Sequence, residues 1–125
     1  MAKFIPVSEP SITQKEINYV LKAVKSGWVS SIGEFINKFE RKFAEYIGVR
    51  YALTTTSGTT ALHLALVSLG IKKGDEIIIP DLTFVATANV VIYTGAKPVF
   101  VDIDPETWCI DPRLLKKAIT SKTKA

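Results

Sequence analysis

The sequence predicts an α/β fold with a mostly parallel sheet flanked by helices, and two observations support this prediction. Strand-like segments alternate with helical ones across residues 49–125 in the order β-α-β-α-β, which requires right-handed crossovers between parallel strands. Of the 125 residues, 47% are hydrophobic and 22% are charged, which is enough apolar material for one core of ordinary size. We expect one partial domain over residues 1–125, with an extended arm at 1–12, two helices within 13–48 and the alternating part at 49–125.

The arm and the first helix are predicted from prolines and from a capping pattern. Pro6 and Pro10 disfavour helix at and before their own positions, so residues 1–12 are expected to be extended. Thr13, with Glu16 three residues later, forms a capping box that begins a helix. The apolar positions of this helix have helical spacing: Ile17, Val20, Leu21 and Val24.

A short loop leads to a second helix. Ser26-Gly27 ends the first helix, and residues 28–33 form a loop that is rich in hydroxyls and framed by glycines. Gly48 stops the second helix, whose apolar residues again have helical spacing: Phe35, Ile36, Phe39, Phe43 and Ile47.

The alternating part supplies three strands and three helices. Strands are predicted at 51–55, 76–79 and 98–101 from their β-prone residues. Helices are predicted at 59–69, 83–93 and 112–119, and Asp111 is the expected N-cap of the last one. Residues 120–125 look like the polar turn after which an α/β unit supplies a further strand, so we expect the sequence to be part of a longer one. Ligands of open α/β sheets bind beyond the carboxyl ends of the strands, which directs attention to residues 55–60, 80–84 and 102–104.

Charge, cysteine content and hydropathy argue against several classes of partner. The net charge of +4 comes from scattered basic residues, without the clustered charge and interleaved aromatics of a nucleic-acid binder. Cys109 is the single cysteine, so neither an internal disulfide nor a cysteine-rich metal site is expected, and a reducing cytoplasm fits best. No apolar run reaches the roughly 18–20 residues of a membrane span. We expect no nucleic acid, metal or membrane as a partner.

The strongest local pattern is a run of hydroxyl residues around one glycine at residues 54–60, where a predicted strand meets a helix. Gly58 allows close approach to the backbone, and the free N–H groups of the first helical turn favour a phosphate or carboxylate. Ser57 and Thr59 can add hydroxyl donors. The local pattern fits equally well with serine and threonine that only cap the helix. It matches neither a Walker loop nor a dinucleotide fingerprint.

A second segment, residues 80–87, begins the next predicted helix at the same edge of the sheet. Phe84 can lie against a flat heterocycle while Thr83 caps the helix, although filling the core is the commoner role of a phenylalanine. Asp102 and Asp104 end a strand and could hold a cation or ligand hydroxyls, but a polar turn closed by a proline is the favoured interpretation.

Two further residues have open or structural interpretations. His63 lies in an apolar helical segment and is interpreted as a partly buried structural histidine. Trp28 can serve as a lid, as a substrate contact or as part of the core.

Together these segments resemble the DegT-type nucleotide-sugar aminotransferases, and among them the group that aminates GDP-4-keto-6-deoxymannose. The matching stretches follow the family's order along nearly the whole chain: SGWVSSIG at 26–33, FE at 39–40 with FA at 43–44, SGTTALHLAL at 57–66, GDEIIIP at 74–80, TFVATA at 83–88, GAKPVFVD at 95–102 and DP at 104–105. The resemblance implies the N-terminal part of the large domain of a PLP-dependent transferase of fold type I, the aspartate-aminotransferase-like fold, where PLP is pyridoxal 5′-phosphate.

The resemblance also implies roles for individual residues. Gly58 and Thr59 would bind the PLP phosphate with Ser57 nearby, and Phe84 would stack on the pyridine ring. The loop that contains Trp28, Ser30 and Ser31 would approach the sugar substrate, and the amino-terminal arm would pack near the active site. Asp102 and Asp104 are structural in this comparison. The amino donor would be glutamate, the acceptor a nucleotide-linked keto sugar, and the enzyme a homodimer.

The catalytic residues implied by the family lie beyond Ala125, so residues 1–125 alone are expected to be inactive. They are the lysine that binds PLP as a Schiff base and the aspartate that pairs with the ring nitrogen. Three alternatives remain open: a PLP-dependent sugar dehydratase with histidine in place of that lysine, a regulatory protein on the same fold, and a nucleotide- or phosphate-binding module without PLP.

Overall fold

The computed structural model describes residues 4–125, and its contacts divide the chain into two compact units, Met1–Thr54 and Thr55–Ala125. This division differs from the expected single partial domain, which stays a prediction. Residues 4–12 have neither helix nor strand, in agreement with the effect of Pro6 and Pro10. Residues 1–3 of the predicted arm lie outside the described residues.

The first unit contains two helices, α1 at Gln14–Ser26 and α2 at Glu34–Ile47. The predicted capping box begins α1: the Thr13 N–H donates to a Glu16 carboxylate oxygen at 2.7 Å, and the Thr13 hydroxyl oxygen accepts from the Lys15 N–H at 3.2 Å. Gly27 and Gly48 end the two helices with φ of +76° and +78°, in the left-handed region that glycine adopts without strain.

The two helices meet through aromatic side chains. Tyr19 of α1 and Phe35 of α2 make an edge-to-face contact with ring centroids 5.6 Å apart. Lys38 lies over the Tyr19 ring at 5.6 Å from its centroid. Ala44 is the one residue of either helix that is fully buried. Most of the predicted apolar face of α1 is therefore exposed in the described chain.

The second unit has the element order α3 at Gly58–Ser68, β1 at Glu76–Pro80, α4 at Ala86–Tyr93, β2 at Lys97–Val101 and α5 at Pro112–Ala118. The strands β1 and β2 pair in parallel, from Glu76 opposite Lys97 to Pro80 opposite Val101. Ile77 and Ile79 are buried while the residues between and beside them are half-buried, which follows the two-residue period of a strand. The core cluster of this unit consists of Ile71, Ile77, Ile79, Val91 and Ala96.

Residues 122–125 extend the sheet on the other side of β1. The Glu76 N–H donates to the Lys122 carbonyl, and the Ile78 N–H donates to the Ala125 carbonyl, each at 2.9 Å. A parallel bridge joins Glu76 to Thr123. Residues 122–125 thus bond to β1 on the edge that β2 leaves open, where the further strand after α5 was expected. Right-handed crossovers to opposite sides of β1 put α4 and α5 on opposite faces of the sheet.

One predicted strand and one predicted helix start were wrong. Residues 51–55 form no strand and pair with no described strand, because β-prone residues supply no hydrogen-bonded neighbour by themselves. The helix predicted from Thr83 begins at Ala86, and the Thr83 hydroxyl bonds that of Thr87 at 2.9 Å without capping the helix. The Asp81 N–H donates to the Val101 carbonyl at 3.0 Å, which continues the extended chain by one residue and delays the helix.

Candidate functional site

The hydroxyl-rich turn at residues 54–60 is organised around the N-cap of α3. The Ser57 hydroxyl oxygen accepts from the Thr60 N–H at 3.3 Å, and the Ser57 N–H donates to the Thr60 hydroxyl oxygen at 3.1 Å. The Thr60 hydroxyl in turn donates to the Ser57 carbonyl at 2.8 Å. The capping interpretation is confirmed. The part played by Thr60 was missed, although Ser-x-x-Thr is the capping-box spacing with a hydroxyl in place of the usual carboxylate or amide.

Capping leaves the donors of the first helical turn free. Gly58 and Thr59 are the first two residues of α3, and within residues 4–125 their N–H groups donate to no acceptor. The Thr59 hydroxyl likewise makes no hydrogen bond in the described chain and is half-buried. No acidic residue lies in this first turn, so the positive end of the helix dipole is not neutralised there. The turn can therefore bind an anion while Ser57 caps the helix.

Gly58 provides a test of whether the turn fits a ligand. Its φ lies outside the left-handed region, and a Cβ built on it would meet nothing within 4 Å. Neither the backbone conformation nor the packing of the described residues requires glycine here, although glycine in a helix costs roughly 0.5–1 kcal/mol relative to alanine. Glycine is required at this position if a ligand approaches the backbone closely, because a Cβ would occupy the space that the ligand needs. A phosphate bound to the free N–H groups fits this arrangement.

Phe84 lies two residues before α4 in the second unit. α4 follows β1 along the chain, so it begins on the side of the strand's carboxyl end. His63 of α3 contacts Tyr93 of α4 edge to face, with centroids 5.8 Å apart. The Phe84 side chain is 77% exposed, so the alternative that it fills the core was wrong for the described chain. An exposed ring near the N-terminus of α4 is available for stacking.

Trp28, Ser30 and Ser31 lie in the first unit, in the loop between α1 and α2, and all three are exposed. The Ser26 hydroxyl donates to the Ala23 carbonyl at 2.7 Å, and its oxygen accepts from the Trp28 N–H at 3.2 Å, which shapes the start of the loop. Trp28 is 61% exposed, so the alternative that it forms part of the core was wrong for the described chain. The loop between α1 and α2 thus exposes an indole and two hydroxyl groups to solvent.

Of the two aspartates after β2, Asp104 has a structural role through its carboxylate, and Asp102 makes a hydrogen bond through its backbone. Asp104 accepts from the N–H groups of Glu106 at 2.8 Å and Thr107 at 3.2 Å, so the interpretation as a polar turn is confirmed. The Asp102 carbonyl accepts from the Asp111 N–H at 3.1 Å. His63 is half-buried, as predicted.

Asp111 is the predicted N-cap of α5 and is confirmed as such. Its carboxylate accepts from the Arg113 N–H at 2.7 Å and pairs with the guanidinium, whose Nη2 lies 2.8 Å away. These hydrogen bonds hold the pKa of Asp111 down at about 2, and they raise the pKa of Arg113. The pair holds the first turn of α5.

Residues 4–125 contain no group of three or more histidine, cysteine, aspartate or glutamate side chains that could hold a metal ion. Within the same residues, no helix combines the length and the apolar character needed to cross a bilayer.

Comparison with known proteins agrees with this fold and with the resemblance. Residues 10–125 match the model of the DegT/DnrJ/EryC1/StrS aminotransferase family, and the chain belongs to that family. The GDP-perosamine synthase of Escherichia coli O157:H7 is 54% identical over 123 residues, which are 98% of this chain and 34% of that protein. The chain thus spans about a third of the length of the curated relatives that it matches.

Solved structures show the same fold. Spr1654 of Streptococcus pneumoniae, proposed to be a sugar aminotransferase, was solved in PLP and PMP forms; it is 39% identical, with a TM-score of 0.86 over 95% of this chain and 30% of that one. The Escherichia coli GDP-4-keto-6-deoxy-D-mannose-3-dehydratase with bound hydrated PLP is 32% identical, with a TM-score of 0.84 over 94% of this chain and 32% of that one. The fold class predicted from the sequence is confirmed: the chain is an α/β part of the PLP-dependent sugar aminotransferase fold.

Proposed function

We propose that the full-length protein is a PLP-dependent aminotransferase that moves an amino group from glutamate to a keto carbon of a nucleotide-linked deoxysugar. The observation that carries the proposal is the turn of Ser57, Gly58 and Thr59, with two free N–H groups beside a glycine that the described chain does not require. The identity of 54% with a GDP-perosamine synthase supports a perosamine-type substrate, GDP-4-keto-6-deoxymannose, in the synthesis of polysaccharide sugars.

The chain's own residues bind and orient the coenzyme in this proposal. The N–H groups of Gly58 and Thr59 donate to its phosphate, which also lies at the positive end of the α3 dipole. The hydroxyls of Thr59 and Ser57 add donors, since the Ser57 proton has only a 3.2 Å contact with Thr60 in the described chain. Phe84 lies over the ring face. When bound, PLP supplies the electron sink that transamination requires.

The loop of Trp28, Ser30 and Ser31 provides contacts for the sugar. Serine hydroxyls donate to and accept from sugar hydroxyls, and an indole packs against the apolar face of a sugar ring. The homodimer, the cytoplasmic location and the inactivity of residues 1–125 alone belong to the same proposal. A reducing compartment fits the single cysteine, Cys109.

A 3-dehydratase is the second candidate, because a dehydratase that acts on GDP-4-keto-6-deoxy-D-mannose has the same fold at 32% identity. The higher identity to the GDP-perosamine synthase favours amination. The residue at the position of the Schiff-base lysine in the full-length protein decides between amination and dehydration. Lysine there supports transamination, and histidine there supports dehydration.

The test incubates the full-length protein with PLP, glutamate and GDP-4-keto-6-deoxymannose, and analyses the products by mass spectrometry. We expect a yellow protein and conversion of the keto group to an amine. A product that has lost the C3 oxygen and gained no nitrogen would identify the dehydratase. Bound PLP without turnover of either kind would support the regulatory alternative. A full-length protein that cannot be reconstituted with PLP would contradict the proposal.

A further inference from the structure

The segment that leads into the turn is held by one carboxylate. The Thr54 N–H donates to Glu40 Oε1 at 2.8 Å, and the Thr54 hydroxyl donates to the same oxygen at 3.0 Å. Glu40 lies on α2, 14 positions before Thr54, and both residues belong to the first unit. Hydrogen bonds to a carboxylate are stronger than those between neutral groups. This contact therefore ties the extended segment to a helix.

Little else in the described chain fixes this segment. Residues 51–55 have no strand partner, so their backbone groups lack the ladder that normally orders extended chain. Tyr51 and Leu53 are each 73% exposed and contribute little packing. The Arg50 guanidinium lies 5.1 Å from the centroid of the adjacent Tyr51 ring, which orders only neighbouring residues. Without Glu40, the backbone before the turn would regain conformational freedom.

Only Thr55 and Thr56 separate Thr54 from Ser57, and this short connection contains a hydrogen bond of its own. The Thr55 hydroxyl donates to the Ser57 carbonyl at 3.0 Å. A binding site that is ordered before the ligand arrives loses less entropy on binding and therefore binds more tightly. We propose that Glu40 is a positioning residue, which orders the turn of Ser57, Gly58 and Thr59 through Thr54. This inference rests on the proposed function, because it assigns that turn to the PLP phosphate.

The experiment compares Glu40→Ala with Glu45→Ala in the full-length protein. Glu45 lies on the same helix, is exposed, and its side chain makes no hydrogen bond to residues 49–55 in the described chain, so its variant controls for the loss of charge. Two quantities are measured: the Kd of the coenzyme-free protein for PLP, and the hydrogen exchange of amides 54–60 without PLP. For Glu40→Ala we expect about tenfold weaker binding, about 1.4 kcal/mol, and clearly faster exchange. Glu45→Ala should change neither.

Conservative variants separate positioning from a general loss of folding. Glu40→Gln retains an oxygen that can accept both hydrogen bonds without the charge, so its affinity for PLP should lie between those of the wild type and Glu40→Ala. Thr54→Val removes the hydroxyl donor but keeps the N–H donor. The double variant Glu40→Ala/Thr54→Val should lose less affinity than the sum of the two single variants, because the two residues act through one contact.

Each outcome bears on the inference. Unchanged PLP affinity and unchanged exchange in Glu40→Ala would overturn it, as would lower thermal stability with exchange at 54–60 and Kd left as in the wild type. Equal weakening by Glu45→Ala would replace it with a nonspecific effect of charge. A wild-type protein that binds no PLP would contradict both the proposed function and this inference. If hydrogen exchange of amides 54–60 were nevertheless faster in Glu40→Ala, the contact of Glu40 with Thr54 would be purely structural.

Discussion

Gly58 allows a substitution with opposite expected effects on stability and on coenzyme affinity. Gly58→Ala adds one methyl group at the first position of α3, where a Cβ would meet nothing within 4 Å and φ lies outside the left-handed region. Alanine costs less conformational entropy than glycine in a helix, so the coenzyme-free protein should gain up to about 0.5–1 kcal/mol in free energy of unfolding. A phosphate hydrogen-bonded to the Gly58 N–H would meet the new methyl group, so affinity for PLP should fall at least tenfold.

Gly70, at the other end of the same helix, provides the matched control. A Cβ on Gly70 would also meet nothing within 4 Å, but its φ is +73°. Gly70→Ala therefore forces alanine into the left-handed region, at a cost of roughly 1–2 kcal/mol, and should leave PLP affinity unchanged. The two variants add the same group in equally open surroundings and differ in backbone conformation and in distance from the turn.

The assay is urea denaturation of the coenzyme-free full-length proteins together with titration by PLP. We expect Gly58→Ala to be at least as stable as the wild type and to bind PLP poorly, and Gly70→Ala to be less stable and to bind PLP normally. If Gly58→Ala destabilised the coenzyme-free protein, a protein group and not a ligand would fill the space at Gly58. Wild-type affinity in Gly58→Ala would mean that the phosphate does not approach this backbone.

Two further predictions concern the region after β2. The pKa of Asp111 is held at about 2, below its ordinary value of 3.8, so its contribution to stability is present above about pH 4 and is lost as the pH falls toward 2. The difference in unfolding free energy between the wild type and Asp111→Asn should therefore shrink between pH 5 and pH 2.5, and a constant difference in urea titrations would refute the assignment. Trp108 has φ of +60° and is 71% exposed, so it carries backbone strain with little burial in return. Trp108→Gly should leave stability unchanged or raise it by up to about 1 kcal/mol in thermal unfolding, whereas a loss of more than 1 kcal/mol would show that the indole is buried in the full-length protein.

Local signals in the sequence were sufficient for most helix boundaries. Thr13 with Glu16 begins α1, Gly27 and Gly48 end the first two helices, and Asp111 caps α5, each by contacts among residues that are close in sequence. The parallel pairing of β1 with β2 also follows from the sequence, because a helix between two strands permits little else.

The failures were at positions where a distant residue decides the conformation. The segment 51–55 has the composition of a strand, yet in the described chain the Thr54 N–H donates to the Glu40 carboxylate on α2 and not to a neighbouring strand. The start of α4 moved from Thr83 to Ala86 because the backbone of Asp81 bonds to the end of β2. Neither partner can be identified from the residues next to these positions.

The sequence alone determined the α/β class, the family motifs and the serine-glycine-threonine turn, because helix caps, hydrophobic period and turn residues act over a few positions. The tertiary structure decided that, within residues 4–125, the N–H groups of Gly58 and Thr59 stay free and that Phe84 is exposed. It also decided which carboxylate holds the segment before the turn. Burial and hydrogen-bond partners depend on chain segments brought together by folding, and no local pattern encodes which segments those are.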